Sequence, residues 1–189
     1  MGTLKEKFEE LSAGIKASGK PAAAWFPKYT STSLLNADNW WEALAVCEYA
    51  LDTREDEKLT EGFFELIFSA FDCNVDVDLS EEAYEFWWEK VMQVCERVAV
   101  FSGAGWAQKG AQYSEARYGK RDLSYLFTCY EKAADMGWGE AEATVAYWRD
   151  MGFYCEQDTE EVERRMPALS SPEAILWGKH YRAFAEEFT

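Results

Sequence analysis

The clearest helix boundaries in the sequence lie within residues 122–151, DLSYLFTCYEKAADMGWGEAEATVAYWRDM. Asp122 can accept a hydrogen bond from the first turn of a helix, so a helix is predicted to begin directly after it. Gly137 is typical of a residue that ends a helix, and a second helix is predicted from about Gly139 to Met151. The stretch therefore predicts two helices joined by a tight turn.

The same helical signal extends in both directions along the chain. An apolar stripe at helical spacing predicts an N-terminal helix within residues 1–17. Residues 18–37 are rich in glycine, proline, serine and threonine and are predicted to form a connector. Helical patterns then fill an acidic half, residues 38–102, and a second half, residues 103–189. About nine helices in succession predict an all-α fold, a single domain of stacked antiparallel hairpins over residues 1–189.

The second half contains an internal repeat with a period of about 34 residues. The aligned positions are Ala107, Ala111 and Tyr113 in the first copy and Ala141, Val145 and Tyr147 in the next. A third, weaker copy follows near residues 174–181. Residues 103–111 are rich in glycine and alanine, and small residues on one face let two helices approach closely. The pattern therefore predicts repeated, tightly packed helical hairpins.

Residues 130–137, YEKAADMG, followed by Ala141, resemble the signature of Sel-one-like repeats. These repeats are stacked helical hairpins related to tetratricopeptide repeats. Residues 118–122 look like a shortened form of the loop between helices in that family, and residues 152–158 match its usual length. The resemblance covers about residues 103–183. It implies a short, curved α-solenoid that binds other proteins and rarely catalyses.

Acidic residues are concentrated in one part of the chain. The formal net charge is −16, from 19 basic and 35 acidic residues. Residues 31–100 contain four basic and seventeen acidic residues, a net charge of −13. Such a surface repels a nucleic-acid backbone and attracts partners with a basic face. A solvated face that only keeps the protein soluble is the alternative, but solubility does not require so uneven a distribution.

Few residues in this sequence can carry catalysis or bind a cofactor. His180 is the single histidine and is predicted to pack within the last helix. No phosphate-binding glycine motif occurs. The alternating ligands of a calcium loop are matched by Asp72, Asn74, Asp76 and Asp78. That loop also needs a glycine and a glutamate, which are replaced here by Val77 and Ala83. We therefore expect no catalytic residue, no metal site and no cofactor.

The sequence also bears on the compartment in which the protein works. No apolar run reaches the roughly 18 residues that a membrane span needs, and no basic-then-apolar leader opens the chain. The five cysteines are odd in number, widely spaced and never arranged as C-x-x-C, so they are predicted to be reduced core residues. We expect a cytoplasmic protein without membrane contact; a protein exported by a route that the sequence does not show is the alternative.

Two pairs of adjacent tryptophans, Trp40-Trp41 and Trp87-Trp88, provide candidate aromatic anchors for a partner. Adjacent residues diverge by about 100° on a helix, so the two members of a pair cannot face one core equally. If Trp41 and Trp87 face inward, Trp40 and Trp88 lie toward a flank or groove. The alternative is a core wrapped by a second layer of helices that buries both members.

The predicted partner-binding surface combines the two outward tryptophans with carboxylates of the acidic half. Its residues are Trp40, Asp52, Glu55, Asp56, Asp72, Asp76, Asp78, Glu82, Glu85, Trp88 and Glu89. Aromatic residues surrounded by charge are the usual composition of a binding hot spot. The expected partner is a protein with a basic surface, and no direct contact with nucleic acid is expected.

An acidic, non-catalytic helical protein can neutralise a partner by covering its basic active site. Bacterial immunity proteins, which protect a cell from a secreted toxin, fit this description, and Sel-one-like repeats occur among them. A constitutive scaffold or adaptor that uses the concave face of the repeats, a nucleic-acid mimic and an enzyme stay open as alternatives. The partner's footprint separates the first two hypotheses, at residues 38–90 for an inhibitor and 104–183 for a scaffold.

Overall fold

The fold is all-α, which confirms the predicted class. The computed structural model describes residues 3–28, 39–53, 56–58, 60–65, 80–114, 120–165 and 175, and within these ranges every regular element is helical. By the density of contacts the backbone divides into two compact units, Met1–Phe101 and Ser102–Thr189. None of the helices within these ranges has both the length and the apolar character needed to cross a membrane.

The described part of the N-terminal unit contains three long helices. They are α1 (Leu4–Ser18), α2 (Trp40–Thr53) and α3 (Glu81–Val98). Two short 3-10 turns, Ala22–Ala24 and Phe26–Lys28, follow α1, and residues 60–65 are also helical. The ring of Phe26 stacks on that of Phe63 at 4.0 Å, which fixes part of the predicted connector against the core.

The ends of α1 are defined by local hydrogen bonds. The Thr3 hydroxyl accepts the backbone N–H of Glu6, and the Glu6 carboxylate accepts the N–H of Thr3, which completes a capping box. At the other end Gly19 adopts a left-handed conformation with φ of 62°, which a residue without Cβ reaches at little cost.

The central helix of this unit is α2, which packs against both α1 and α3. The five consecutive residues 43–47 are all buried, so α2 is covered on more than one side. A helix that is apolar all round is typical of a core position. This burial decides the orientation of Trp40, as described below.

The start of α3 differs from the prediction. The spacing of Asp78 and Glu81 in the sequence predicts a capping box with Asp78 as the N-cap. In the structure the N-cap of α3 is Ser80, whose hydroxyl accepts the N–H of Ala83 at 3.3 Å. Asp78 itself lies outside the described residues. Serine and aspartate are about equally good N-caps, so the sequence alone did not choose between them.

The described part of the C-terminal unit begins with a run of helices that each pack on the next. They are α4 (Gly103–Ser114), α5 (Leu123–Asp135), α6 (Gly139–Met151) and α7 (Thr159–Arg165). The Asp122 carboxylate accepts the N–H of Tyr125 at 2.9 Å, which confirms the predicted N-cap of α5. Gly137 and Gly152 both have positive φ and follow the ends of α5 and α6.

Helices α4 and α5 approach closely through glycine, as the small-residue pattern predicted. A Cβ at Gly103 would lie 2.7 Å from Cβ of Trp138 and 2.9 Å from the carbonyl oxygen of Ala133. A Cβ at Gly110 would lie 2.9 Å from Cβ of Cys129. Real Cβ atoms do not approach neighbours this closely, so glycine is required at both positions for this packing.

Candidate protein-binding surface

Helix α3 presents a face of exposed carboxylates, here called the acidic ridge: Glu82, Glu85, Glu89 and Glu96. Their spacing of three, four and seven residues places them on one side of a helix. At 1.5 Å per residue the acidic ridge extends over about 21 Å. Three of its members, Glu82, Glu85 and Glu89, belong to the predicted partner-binding surface.

Trp88 lies beside the acidic ridge and is half-buried. Its ring centroid is 6.1 Å from that of Tyr84 and 6.4 Å from that of Trp87. The indole N–H of Trp87 is buried without a hydrogen-bond partner among the described residues. Trp87 is half-buried as well, so the expected difference in burial between the two tryptophans is not seen, and Trp88 adds partly exposed aromatic area next to Glu85 and Glu89.

The orientation expected for Trp40 is wrong. Trp40 is only 1% exposed, whereas its neighbour Trp41 is half-buried. The expectation assumed that α2 faces one core, but α2 is covered on more than one side and buries the residue that was expected to point outward. Trp40 is therefore a core residue and cannot anchor a partner on this surface.

Asp52 lies at the exposed end of α2 and is held by two cations of its own chain. Its two carboxylate oxygens are 2.9 Å from Nζ of Lys16 in α1 and 3.0 Å from Nη2 of Arg97 in α3. Burial raises the pKa of Asp52, but the hydrogen bonds and charges of Lys16 and Arg97 outweigh it and hold the pKa below the ordinary value. The negative charge of Asp52 is thus offset within the unit and is less available to a partner.

The other predicted carboxylates divide into one described residue and four outside the described ranges. Asp56 is exposed, and one of its carboxylate oxygens accepts the N–H of Lys58 at 2.9 Å. Glu55, Asp72, Asp76 and Asp78 lie outside the described residues, as do the calcium-like run and His180. Among the predicted carboxylates that the structure describes, most therefore belong to the acidic ridge.

A groove between α1 and α3 runs beside the acidic ridge, with a volume of about 420 Å³. Phe8 and Phe86 meet edge to face at 5.6 Å and form part of its apolar lining. Lys90 lies 4.7 Å from the ring centroid of Phe8 and 3.2 Å from a carboxylate oxygen of Glu48. The groove combines apolar area with a polar rim, the composition that receives a partner side chain.

The C-terminal unit has a different surface chemistry at α4 and α5. Lys109 is only 7% exposed, and its Nζ lies 5.4 Å from the ring of Trp106 and 5.7 Å from that of Tyr125. Nζ of Lys132 lies 4.1 Å from the ring centroid of Trp106. Positive charge is therefore stabilised on aromatic faces here, in contrast with the carboxylates of α3.

The described cysteines are free thiols, as predicted, but only three of these four are core residues, and Cys73 lies outside the described residues. Cys47, Cys95 and Cys129 are buried and Cys155 is half-buried. Burial raises the pKa of the Cys47, Cys129 and Cys155 thiols above the ordinary value. The thiolate is the nucleophile and the metal ligand, so a raised pKa lowers the reactivity of these three thiols at neutral pH.

Sequence reasoning missed the exposed aromatic residues of the C-terminal unit. Phe153 and Tyr154 follow α6 and are 45% and 43% exposed. The signal was present as two adjacent aromatic residues directly after Gly152, a position outside any helical pattern. The loop was interpreted only by its length in the Sel-one-like repeat, so its side chains were not considered.

The fold and the surface thus define an all-α protein with a carboxylate-bearing helix face on its N-terminal unit. Within the described ranges no group of three or more His, Cys, Asp or Glu side chains is arranged to hold a metal ion. Neither a model of a known protein family, nor a curated protein, nor a solved structure matches this chain.

Proposed function

We propose that this protein is a non-catalytic binding protein that neutralises a basic partner through the acidic ridge of α3. The observation that carries the proposal is the alignment of four exposed carboxylates on one helix face. Aligned charge steers an oppositely charged partner and raises the association rate. A bacterial immunity protein that covers a toxin in the cytoplasm is the biological setting that we infer.

Trp88 and the groove between α1 and α3 provide contacts of another kind beside the charge. A half-buried tryptophan next to carboxylates has the composition of a binding hot spot. The groove offers apolar area from Phe8 and Phe86 to a side chain of the partner. In this arrangement the carboxylates govern association, and Trp88 governs the lifetime of the complex.

The inferred Sel-one-like character of the C-terminal unit supports a role in protein binding. Each of its described helices packs on the next, and α4 and α5 approach through Gly103 and Gly110. Consecutive hairpins of this kind are the building units of helical solenoids. A scaffold that binds through these hairpins is the second candidate function, favoured by the exposed aromatic residues that follow α6.

The test begins with capture of the partner from the native host and measures its association rate at several salt concentrations. The ridge variant combines Glu82→Lys, Glu85→Lys and Glu89→Lys. A control variant combines Glu10→Lys, Asp135→Lys and Glu140→Lys, three exposed carboxylates elsewhere that give the same change in net charge. We expect the ridge variant to lower the association rate at low salt by about tenfold or more and to flatten its salt dependence.

The control variant distinguishes a local surface from net charge. If both variants slow association equally, only the total charge matters and the acidic ridge is not the site. A footprint confined to residues 104–183 would favour the scaffold, and competition by duplex DNA would favour a nucleic-acid mimic. Trp88→Ala is expected to raise the dissociation rate while leaving the salt dependence of association unchanged.

A further inference from the structure

The last residue of α6 and the loop that follows it display apolar side chains to solvent. Met151, Phe153 and Tyr154 are 45%, 45% and 43% exposed. Large exposed apolar residues that lie together are typical of an interaction surface rather than of ordinary protein surface. The aromatic loop, defined here as residues 151–158, lies in the C-terminal unit and shares no residue with the acidic ridge.

Hydrogen bonds hold the aromatic loop in one conformation. The N–H of Phe153 donates to the carbonyl of Trp148 at 2.8 Å, and the N–H of Asp158 donates to the carbonyl of Arg149 at 2.9 Å. The side-chain amide of Gln157 donates to the carbonyl of Asp150 at 2.7 Å. The two aromatic side chains are therefore presented on a fixed backbone, which reduces the entropy lost on binding.

Tyr154 has a φ of 62°, the left-handed conformation that bulky residues rarely adopt. Its ring meets that of Trp148 edge to face at 5.0 Å, and the ring of Phe153 meets that of Tyr147 at 6.0 Å. The ring centroids of Phe153 and Tyr154 are 6.3 Å apart. Each exposed ring thus packs against a ring of α6, and part of its surface remains exposed to solvent.

The segment that carries these rings is acidic. Residues 150–163 contain six acidic and no basic residues. The nearest preceding cation, Arg149, is paired with Glu131, and the next, Arg164, is paired with Glu161. A second copy of this chain is a poor occupant, because its net charge of −16 adds repulsion.

We propose that the aromatic loop binds an arginine-bearing segment of a partner protein. A guanidinium stacks on an aromatic face and forms paired hydrogen bonds with a carboxylate, so it matches both features of this surface. Lysine carries the same charge but stacks and pairs less well. The proposal does not depend on the acidic ridge and extends the protein's binding capacity to its other unit.

The probe is a capped tri-arginine peptide, titrated into the isotope-labelled full chain and followed by amide NMR. The loop variant combines Phe153→Ser and Tyr154→Gly, where glycine also accepts the positive φ. The control is Met136→Ser, a methionine of similar exposure that precedes α6. We expect shifts at residues 151–158 and about fivefold weaker binding by the loop variant, with unchanged binding by the control.

Several outcomes would overturn the proposal. Equal affinity for a tri-lysine peptide would mean that charge alone is recognised. Shifts confined to α3 would leave the acidic ridge as the site and remove the aromatic loop. Equal binding by the loop and control variants would exclude the two rings. Self-association that the loop variant abolishes, measured by sedimentation, would make the occupant a second copy.

Discussion

The carboxylate of Asp52 in α2 links three helices, because it pairs with Lys16 of α1 and with Arg97 of α3. Asp52→Asn removes the charge and keeps the size of the side chain. We expect the free energy of unfolding to fall by about 1 kcal/mol at neutral pH, since partly exposed ion pairs contribute modestly. The measurement is urea unfolding followed by circular dichroism.

The pH dependence of this effect has a definite sign. The pKa of Asp52 is lowered in the folded protein, so its stabilisation is present above the ordinary aspartate pKa and is lost as the pH falls through the folded pKa. The difference between wild type and Asp52→Asn should therefore narrow below about pH 4. Glu10→Gln, at an exposed position of α1, serves as the control, and a difference that widens in acid would contradict the assignment.

The tryptophan pairs mark the limit of sequence reasoning at single residues. The 100° divergence of neighbours correctly implied that Trp40 and Trp41 differ in burial. It could not say which one is inside, because α2 is covered by both α1 and α3 and has no single inner face. The number of neighbours around a helix is a tertiary property that one amphipathic pattern does not encode.

Helix ends, at the scale of elements, were predicted best where one residue type is required by geometry. Gly137 and Gly152 have positive φ and end their helices, and Asp122 caps α5 as expected. The start of α3 was misplaced because Ser80 competes with Asp78 for the same role. A glycine at a left-handed position has few substitutes, whereas several polar residues cap a helix equally well.

The close packing of α4 on α5 gives a prediction about Gly110. A Cβ there would lie 2.9 Å from Cβ of Cys129 and 3.1 Å from the carbonyl oxygen of Leu126. Overpacking costs about 1–3 kcal/mol, and replacing a helical glycine by alanine gains about 1 kcal/mol, so the expected net cost is up to about 2 kcal/mol. We expect Gly110→Ala to lower the free energy of unfolding by about 1 kcal/mol, measured by urea unfolding.

Gly14→Ala is the matched control for this substitution. Gly14 lies inside α1, and a Cβ there would have no neighbour within 4 Å. The same change should therefore stabilise the protein by about 0.5–1 kcal/mol. Stabilisation by both substitutions would show that α4 and α5 are not packed through Gly110.

For the whole molecule, the all-α class and the uneven charge could be read from the sequence with little ambiguity. Helical periodicity and the count of carboxylates do not depend on tertiary detail. The aromatic loop could not be identified in this way, because the exposure of Phe153 and Tyr154 depends on how residues 152–158 turn back on α6. The side chains that a loop exposes can be identified only from its three-dimensional structure.

The net charge of −16 leads to a prediction about salt. Carboxylates crowded on one protein repel each other, and the compact state increases that repulsion. Raising sodium chloride from about 0.01 to 0.1 M shortens the Debye length from about 30 to 10 Å and thereby weakens the repulsion between the carboxylates. We therefore expect the midpoint of urea unfolding to rise over this range.

The acidic ridge offers a test of where this repulsion arises. Neutralising it with Glu82→Gln, Glu85→Gln and Glu89→Gln should raise stability at low salt and reduce the further gain from salt, because less repulsion remains to be screened. An uncharged osmolyte at equal osmolality separates screening from solute exclusion. An unchanged salt response in the neutralised variant would mean that the repulsion arises elsewhere in the chain.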